Sequence, residues 1–124
     1  MNILANDGIH PAGQTALEAA GHKLWTQFIE PQNLEGFIND NAIDGLLVRS
    51  ATKVRQPLID ACPALKFIIR GGVGMDNIDV AYAREQGKEV RNTPAASSQS
   101  VAELVMGHLF TISRSLHDSN RRMP

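Results

Sequence analysis

The stretch Lys66-Phe67-Ile68-Ile69-Arg70-Gly71-Gly72-Val73-Gly74-Met75-Asp76-Asn77 is an apolar run that stops abruptly at an arginine and a glycine-rich loop. Consecutive bulky apolar residues without polar alternation have the composition of a strand buried on both faces, and such strands belong to parallel sheets. Similar runs recur roughly every twenty residues, at Asn2–Ala5, Leu24–Ile29, Gly45–Val48 and, more weakly, around Val90. Helical spacings lie between them: Ala16, Leu17 and Ala20; Leu34, Phe37 and Ile38; Val54, Leu58, Ile59 and Cys62. Pro11 and Pro31 stand where a first helical turn accepts proline, and Gly21, Pro63 and Gly87 mark ends. Strand and helix alternate along the chain. The pattern predicts an α/β fold, a doubly wound parallel five-stranded sheet with helices on both faces.

Composition narrows the class. A length of 124 residues fits one domain, and 43% hydrophobic with 20% charged residues is ordinary globular usage rather than disorder. Lys+Arg 12 against Asp+Glu 13 leaves a net charge of −1, without the basic footprint of a nucleic-acid binder. Cys62 is the only cysteine, so no internal disulfide forms, and no apolar run is long enough to span a bilayer. The start Met1-Asn2-Ile3-Leu4 lacks the basic region of a signal peptide, so the expected setting is the reducing cytoplasm, away from membranes. His10, His22, His108 and His117 show no paired metal-ligand spacing, and no metal site is expected.

The last part of the chain reads differently. From Ser97 to Arg122 no strong breaker appears, and Val101, Leu104, Val105, His108, Leu109, Ile112 and Leu116 follow one helical stripe. Ser97 or Ser98 is the expected N-cap, and Ser100 with Glu103 has the spacing of a capping box. The expectation is one long helix, ~36 Å from end to end. Met106 and Phe110 lie off the stripe and point to a second apolar patch facing a partner; His108 is read as a core or interface histidine. Residues 1–96 form the sheet domain in this reading, and 97–124 the long helix.

In parallel α/β sheets ligands bind beyond the carboxyl ends of the strands. The first strand is followed by Asn6-Asp7-Gly8, the third by Arg49-Ser50-Ala51-Thr52, the fourth by Arg70 to Asn77, and the fifth by Asn92-Thr93-Pro94. Arg49 and Arg70 offer planar forks suited to carboxylate or phosphate, and neighbouring glycines let backbone N–H groups approach an anion. The group reads as an anion site. The competing reading pairs these arginines with Asp7, Asp44 or Asp76 and has the glycines merely turn the chain. Gly72-Val73-Gly74-Met75-Asp76-Asn77 is not a dinucleotide fingerprint: Asn77 replaces the third glycine, and the motif follows the fourth strand rather than the first.

Three segments carry a family resemblance. Arg70-Gly71-Gly72-Val73-Gly74-Met75-Asp76-Asn77-Ile78-Asp79-Val80, Val90-Arg91-Asn92-Thr93-Pro94 and Ser100-Val101-Ala102-Glu103-Leu104 resemble the D-2-hydroxyacid dehydrogenases. With Arg49-Ser50-Ala51-Thr52 the likeness is strongest to the phosphoglycerate branch. The resemblance implies a flavodoxin-like substrate-binding domain of an NAD-dependent oxidoreductase. The reaction implied is oxidation of 3-phosphoglycerate to 3-phosphohydroxypyruvate in serine biosynthesis, and the intact enzyme is expected to be a cytoplasmic homo-oligomer. The family's G-x-G-x-x-G and its catalytic Arg, Glu and His lie in a separate cofactor domain, into which the helix from Ser97 leads. No catalytic residue is therefore assigned in this chain, which alone is expected to be inactive and to bind NAD weakly. Only substrate-side roles carry over: Arg49 and Ser50 facing the acidic groups, Arg70, Gly71, Gly72, Val73 and Gly74 holding the carboxylate, and Val73 lying near the nicotinamide. Asn92 and Glu103 match motif positions without an assigned chemistry. The alternative is a free-standing flavodoxin-like binding or regulatory module; a phosphoacceptor would need an acidic neighbour beside Asp7, an Asp where Arg49 stands and a Lys near Asn92.

Overall fold

Leu4, Leu46, Ile68 and Val90 occupy one row across the sheet, each buried, and this row fixes both register and core. The computed structural model describes residues 1–123. In chain order its elements are β1 (Asn2–Ala5), α1 (Pro11–Ala19), β2 (Lys23–Trp25), α2 (Pro31–Asp40), β3 (Gly45–Val48), α3 (Gln56–Ala61), β4 (Phe67–Arg70), α4 (Val80–Glu85) and β5 (Glu89–Asn92). A 3-10 turn at Pro94–Ala96, α5 (Ser98–Ser113) and α6 (Leu116–Arg122) follow. All strand pairings are parallel, in the order β2-β1-β3-β4-β5. The chain leaves β1 toward one edge and returns past it to β3. That reversal creates the switch point at which doubly wound sheets bind ligands.

Strand side chains alternate between faces. Leu4, Leu46, Val48, Ile68 and Val90 point to one face, where Leu34 and Ile38 of α2, Ile59 of α3 and Ala83 of α4 close the core with Cys62 and Leu65. The opposite row grades from buried Ile3 through Gly45 and half-buried Phe67 to exposed Glu89. Gly45 is required there: a Cβ would fall 2.0 Å from the Phe67 ring. Lys88, buried, donates to the carbonyls of Cys62 at 3.0 Å and Leu65 at 2.8 Å, closing the carboxyl end of α3. Hydrogen bonds from the ammonium replace the water it loses on burial.

β1 and β3 match the expected runs, while β2 is shorter than Leu24–Ile29. The Asn6 side chain accepts from the Ile29 amide at 2.8 Å and donates to the Ile29 carbonyl at 3.2 Å, so Ile29 is tied to the residue after β1 rather than continuing β2. Val54 is not part of the third helix; it pairs with Ile78 in an isolated parallel bridge, and α3 begins at Gln56.

The chain divides into two units, the sheet unit Met1–Thr93 and a helical unit from Pro94 onward. The single long helix expected over 97–122 is corrected: α5 has 16 residues and α6 has 7, with Ser115 between them in the left-handed conformation at φ 49°. Two serines explain the break. Ser113 Oγ donates to the Phe110 carbonyl, competing with backbone bonding as serines do, and α5 has no buried residue to hold it straight. Ser97 is the N-cap by position but makes no capping bond, and Ser100 lies inside α5, so no capping box forms. Glu103 instead accepts from Gln99 at 2.9 Å. The stripe of Val101, Leu104, Val105, Leu109 and Ile112 is exposed, and so is His108, which is not a core residue of the described chain.

Candidate functional site

Four loops meet at the carboxyl ends of β1, β3, β4 and β5. Arg49 directly follows β3 and Arg70 ends the adjacent β4, and the Arg70 Nε donates to the Arg49 carbonyl at 3.3 Å. Among the described residues neither guanidinium forms an ion pair. Asp44 takes Lys66 at 2.6 Å, and Asp79 takes Arg55 at 2.7 Å. The part of the competing reading in which Asp7, Asp44 or Asp76 absorbs the two arginines therefore fails. Arg49 is exposed and lines an open cleft of about 600 Å³ with Asp7, Gly8, Ile9 and His10.

Asp7 does something the sequence did not reveal. Its carboxylate accepts from the Arg49 amide at 2.6 Å, from the Thr52 amide at 3.1 Å and from the Thr52 hydroxyl. Burial alone would raise its pKa, but the hydrogen bonds from Thr52, and then those from the Arg49 and Ala51 amides, outweigh that and hold it below the ordinary carboxylate value. The Arg49 and Thr52 amides are thus turned inward onto a carboxylate of the protein itself. These two amides are therefore not open to an external anion.

The second loop is built otherwise. The Gly71 amide donates to the Val48 carbonyl at 2.8 Å, and the Gly72 amide donates to Thr93 Oγ1 at 2.9 Å. The glycines expected to cradle an anion are therefore already bonded at these two positions. The Val73 and Gly74 amides have no partner among the described residues, which leaves them as this loop's open donors. Gly72 is needed for its own geometry: its φ is +150°, and a Cβ would meet the Arg70 guanidinium at 1.9 Å. Asn92 Nδ2 donates to the Val73 carbonyl at 2.6 Å, so both motif residues ending β5 brace the loop from behind. Val73 itself is 53% exposed. Ser50 is exposed beside Arg49, while Glu103 belongs to the helical unit.

Asn77 ties the two loops together. It is buried, and its Nδ2 donates to the Arg49 carbonyl at 2.9 Å and to the Thr52 carbonyl at 2.7 Å. Asp7, Thr52, Asn77, Asn92 and Thr93 were all visible at strand ends, but nothing local distinguishes a bracing residue from a ligand-facing one. No group of acidic, His and Cys residues that could hold a metal is present among the described residues.

The Arg70–Gly74 loop lacks the arrangement of a dinucleotide-binding glycine turn. A dinucleotide takes its pyrophosphate on free amides at a glycine turn that opens a helix. Here the Gly71 and Gly72 amides are spent internally, and the chain runs on from Met75 to Asp79 before α4 begins.

The sequence matches the family model described as D-isomer specific 2-hydroxyacid dehydrogenase, catalytic domain, over residues 3–118. The chain belongs to that family. It is 54% identical over 72 residues to a hydroxypyruvate reductase of Thermotoga maritima, covering 58% of this chain and 24% of the relative. It is 41% identical over 116 residues to a D-3-phosphoglycerate dehydrogenase of Methanocaldococcus jannaschii, covering 94% of this chain and 22% of that protein. Among solved structures, the NAD+-bound 3-phosphoglycerate dehydrogenase of Entamoeba histolytica aligns at a TM-score of 0.71 and 29% identity, over 90% of this chain and 38% of that one. The chain spans less than a quarter of the length of the curated relatives it matches. The α/β architecture expected from the apolar runs is thus the family's own.

Proposed function

We propose that this chain is the substrate-binding part of an NAD-dependent D-2-hydroxyacid dehydrogenase, with 3-phosphoglycerate, oxidised to 3-phosphohydroxypyruvate at the start of serine synthesis, as its substrate. The observation that carries the reading is the pair of arginines, free of acidic partners, at the ends of two adjacent strands. Arg70 and the open amides of Val73 and Gly74 hold the carboxylate beside C2. Arg49, with Ser50 beside it, faces the open cleft and takes the second anionic end. A substrate with one anionic group would leave one of the two guanidiniums unused, which favours a phosphorylated acid. Val73 presents an apolar surface toward the nicotinamide side, and the dinucleotide itself is held outside the described residues.

Division of labour follows from this arrangement. These residues bind and orient the acid, and fixing one end of the substrate converts much of the entropy cost of reaction into binding. Groups that accept the hydride and the hydroxyl proton belong to the cofactor-bearing remainder of the enzyme. The working form is a cytoplasmic homo-oligomer without nucleic-acid or membrane partners. The near-neutral charge supports the absence of a nucleic-acid partner, and no helix among the described residues is long and apolar enough to cross a membrane.

In the intact enzyme, Arg49→Ala and Arg70→Ala each weaken substrate binding by about 2–4 kcal/mol if each makes a desolvated, charge-assisted contact. Steady-state kinetics read this directly. Unchanged KM and kcat in both variants remove the arginines from the site. Isothermal titration of the 124-residue chain should give no micromolar NAD binding, and a micromolar heat overturns that placement of the cofactor.

A further inference from the structure

Thr52 is buried at 5% exposure and uses every polar atom it has. Its hydroxyl accepts from Asn6 Nδ2 at 2.8 Å and donates to Asp7, its amide donates to Asp7 at 3.1 Å, and its carbonyl accepts from Asn77 at 2.7 Å. A carboxylate only accepts, so the hydroxyl proton points to Asp7 and the oxygen lone pair to Asn6. One arrangement satisfies the whole cluster. No buried side-chain nitrogen or oxygen lacks a partner among the described residues.

The same atoms hold Arg49. Its amide donates to the Asp7 carboxylate at 2.6 Å, and its carbonyl accepts from Asn77 at 2.9 Å and from the Arg70 Nε at 3.3 Å. Both backbone polar groups of Arg49 are therefore fixed by groups that Thr52 orients. The Arg70 side chain is aimed by the carbonyl so fixed.

We propose that Thr52 is a positioning residue for substrate: through Asp7 and Asn77 it holds the Arg49 backbone so that both guanidiniums face one acid with two anionic groups. The inference rests on the reading of the arginine pair as an anion site. It assigns a specificity role to a residue that does not touch the ligand. Removing the hydroxyl takes from Asn6 one of its two acceptors, leaving it the Ile29 carbonyl, and from Asp7 a donor, and so loosens the Arg49 loop. The arginines stay present but no longer converge.

The test compares Thr52→Val with Thr52→Ser. The 124-residue chain is titrated with 3-phosphoglycerate while the amide signals of Arg49, Arg70, Val73 and Gly74 are followed by NMR, under conditions where circular dichroism shows each variant folded. Thr52→Val should raise Kd about ten-fold, as expected for loosening hydrogen bonds to a charged group, and Thr52→Ser should stay within about three-fold of the parent. If Thr52→Val does not fold, Asp7→Asn carries the same test, with the same ten-fold expectation. A variant that loses thermal stability but binds like the parent overturns the positioning role and leaves the anion site standing. No ligand-dependent shift in the parent chain overturns both.

Discussion

The two arginine loops lie side by side, yet they solve the problem of exposed backbone in opposite ways. The Arg49–Thr52 loop turns its Arg49 and Thr52 amides onto Asp7, an anion carried by the protein, and presents the Arg49 side chain outward. The Arg70–Gly74 loop is braced through Thr93 and Asn92 and keeps the Val73 and Gly74 amides open. A carboxylate bonded to several amides sits at low energy only while those donors stay put, so the first loop is rigid by electrostatics. The second is held by neutral hydrogen bonds and by one glycine's conformation. Rigidity comes from charge in one loop and from backbone shape in the other.

The difference can be broken from either side. Asp7→Ala removes the anion and strands the Arg49 and Thr52 amides; urea unfolding should show a loss of about 3 kcal/mol, the cost of deleting several charge-assisted bonds at once. Gly72→Ala attacks the second loop through its φ of +150° and through Arg70, and should cost about 2 kcal/mol in the same assay. Thr93→Val removes one of the Gly72 amide's two acceptors, leaving the Arg70 carbonyl, and should cost about 1 kcal/mol, with Thr93→Ser restoring most of it.

Acid should separate the loops more gently. The Asp7 pKa is lowered in the folded state, so the unfolded chain binds more protons and stability rises with pH across the interval from the folded value to about 3.9. Stability from Asp7 is complete above that interval and is lost as pH falls through the folded value. Asp44, held down chiefly by Lys66, and Asp79, held down chiefly by Arg55, add to the same trend. Asp7→Asn should flatten part of the acid limb of a stability–pH profile. Thr93→Val should leave its shape unchanged.

The sequence carried the sheet well because burial on both faces writes itself into consecutive residues: Leu46-Leu47-Val48 and Phe67-Ile68-Ile69 announce strands without help from the rest of the chain. It placed the arginines correctly at strand ends for the same reason. It missed the bracing network because every member is remote in the chain. Asp7 reaches Thr52 across 45 positions and Asn77 reaches Arg49 across 28. Hydrophobic period cannot report such pairs. The helix break at Ser115 escaped notice because serine weakens a helix only where packing fails to compensate, and the apolar stripe alone implied packing. The shortened β2 has a similar cause, since Asn6 captures Ile29 from the neighbouring strand.

Cys62 sits in the core, fully enclosed, with burial as the main influence, followed by Glu35, pushing its thiol up to about 11. At neutral pH it is therefore almost entirely protonated and out of reach of alkylating reagents, which attack the thiolate. Labelling waits for the sheet to open. Since the chain has a single cysteine, the rate of iodoacetamide incorporation becomes a clock for opening of this core, readable by mass without any added probe.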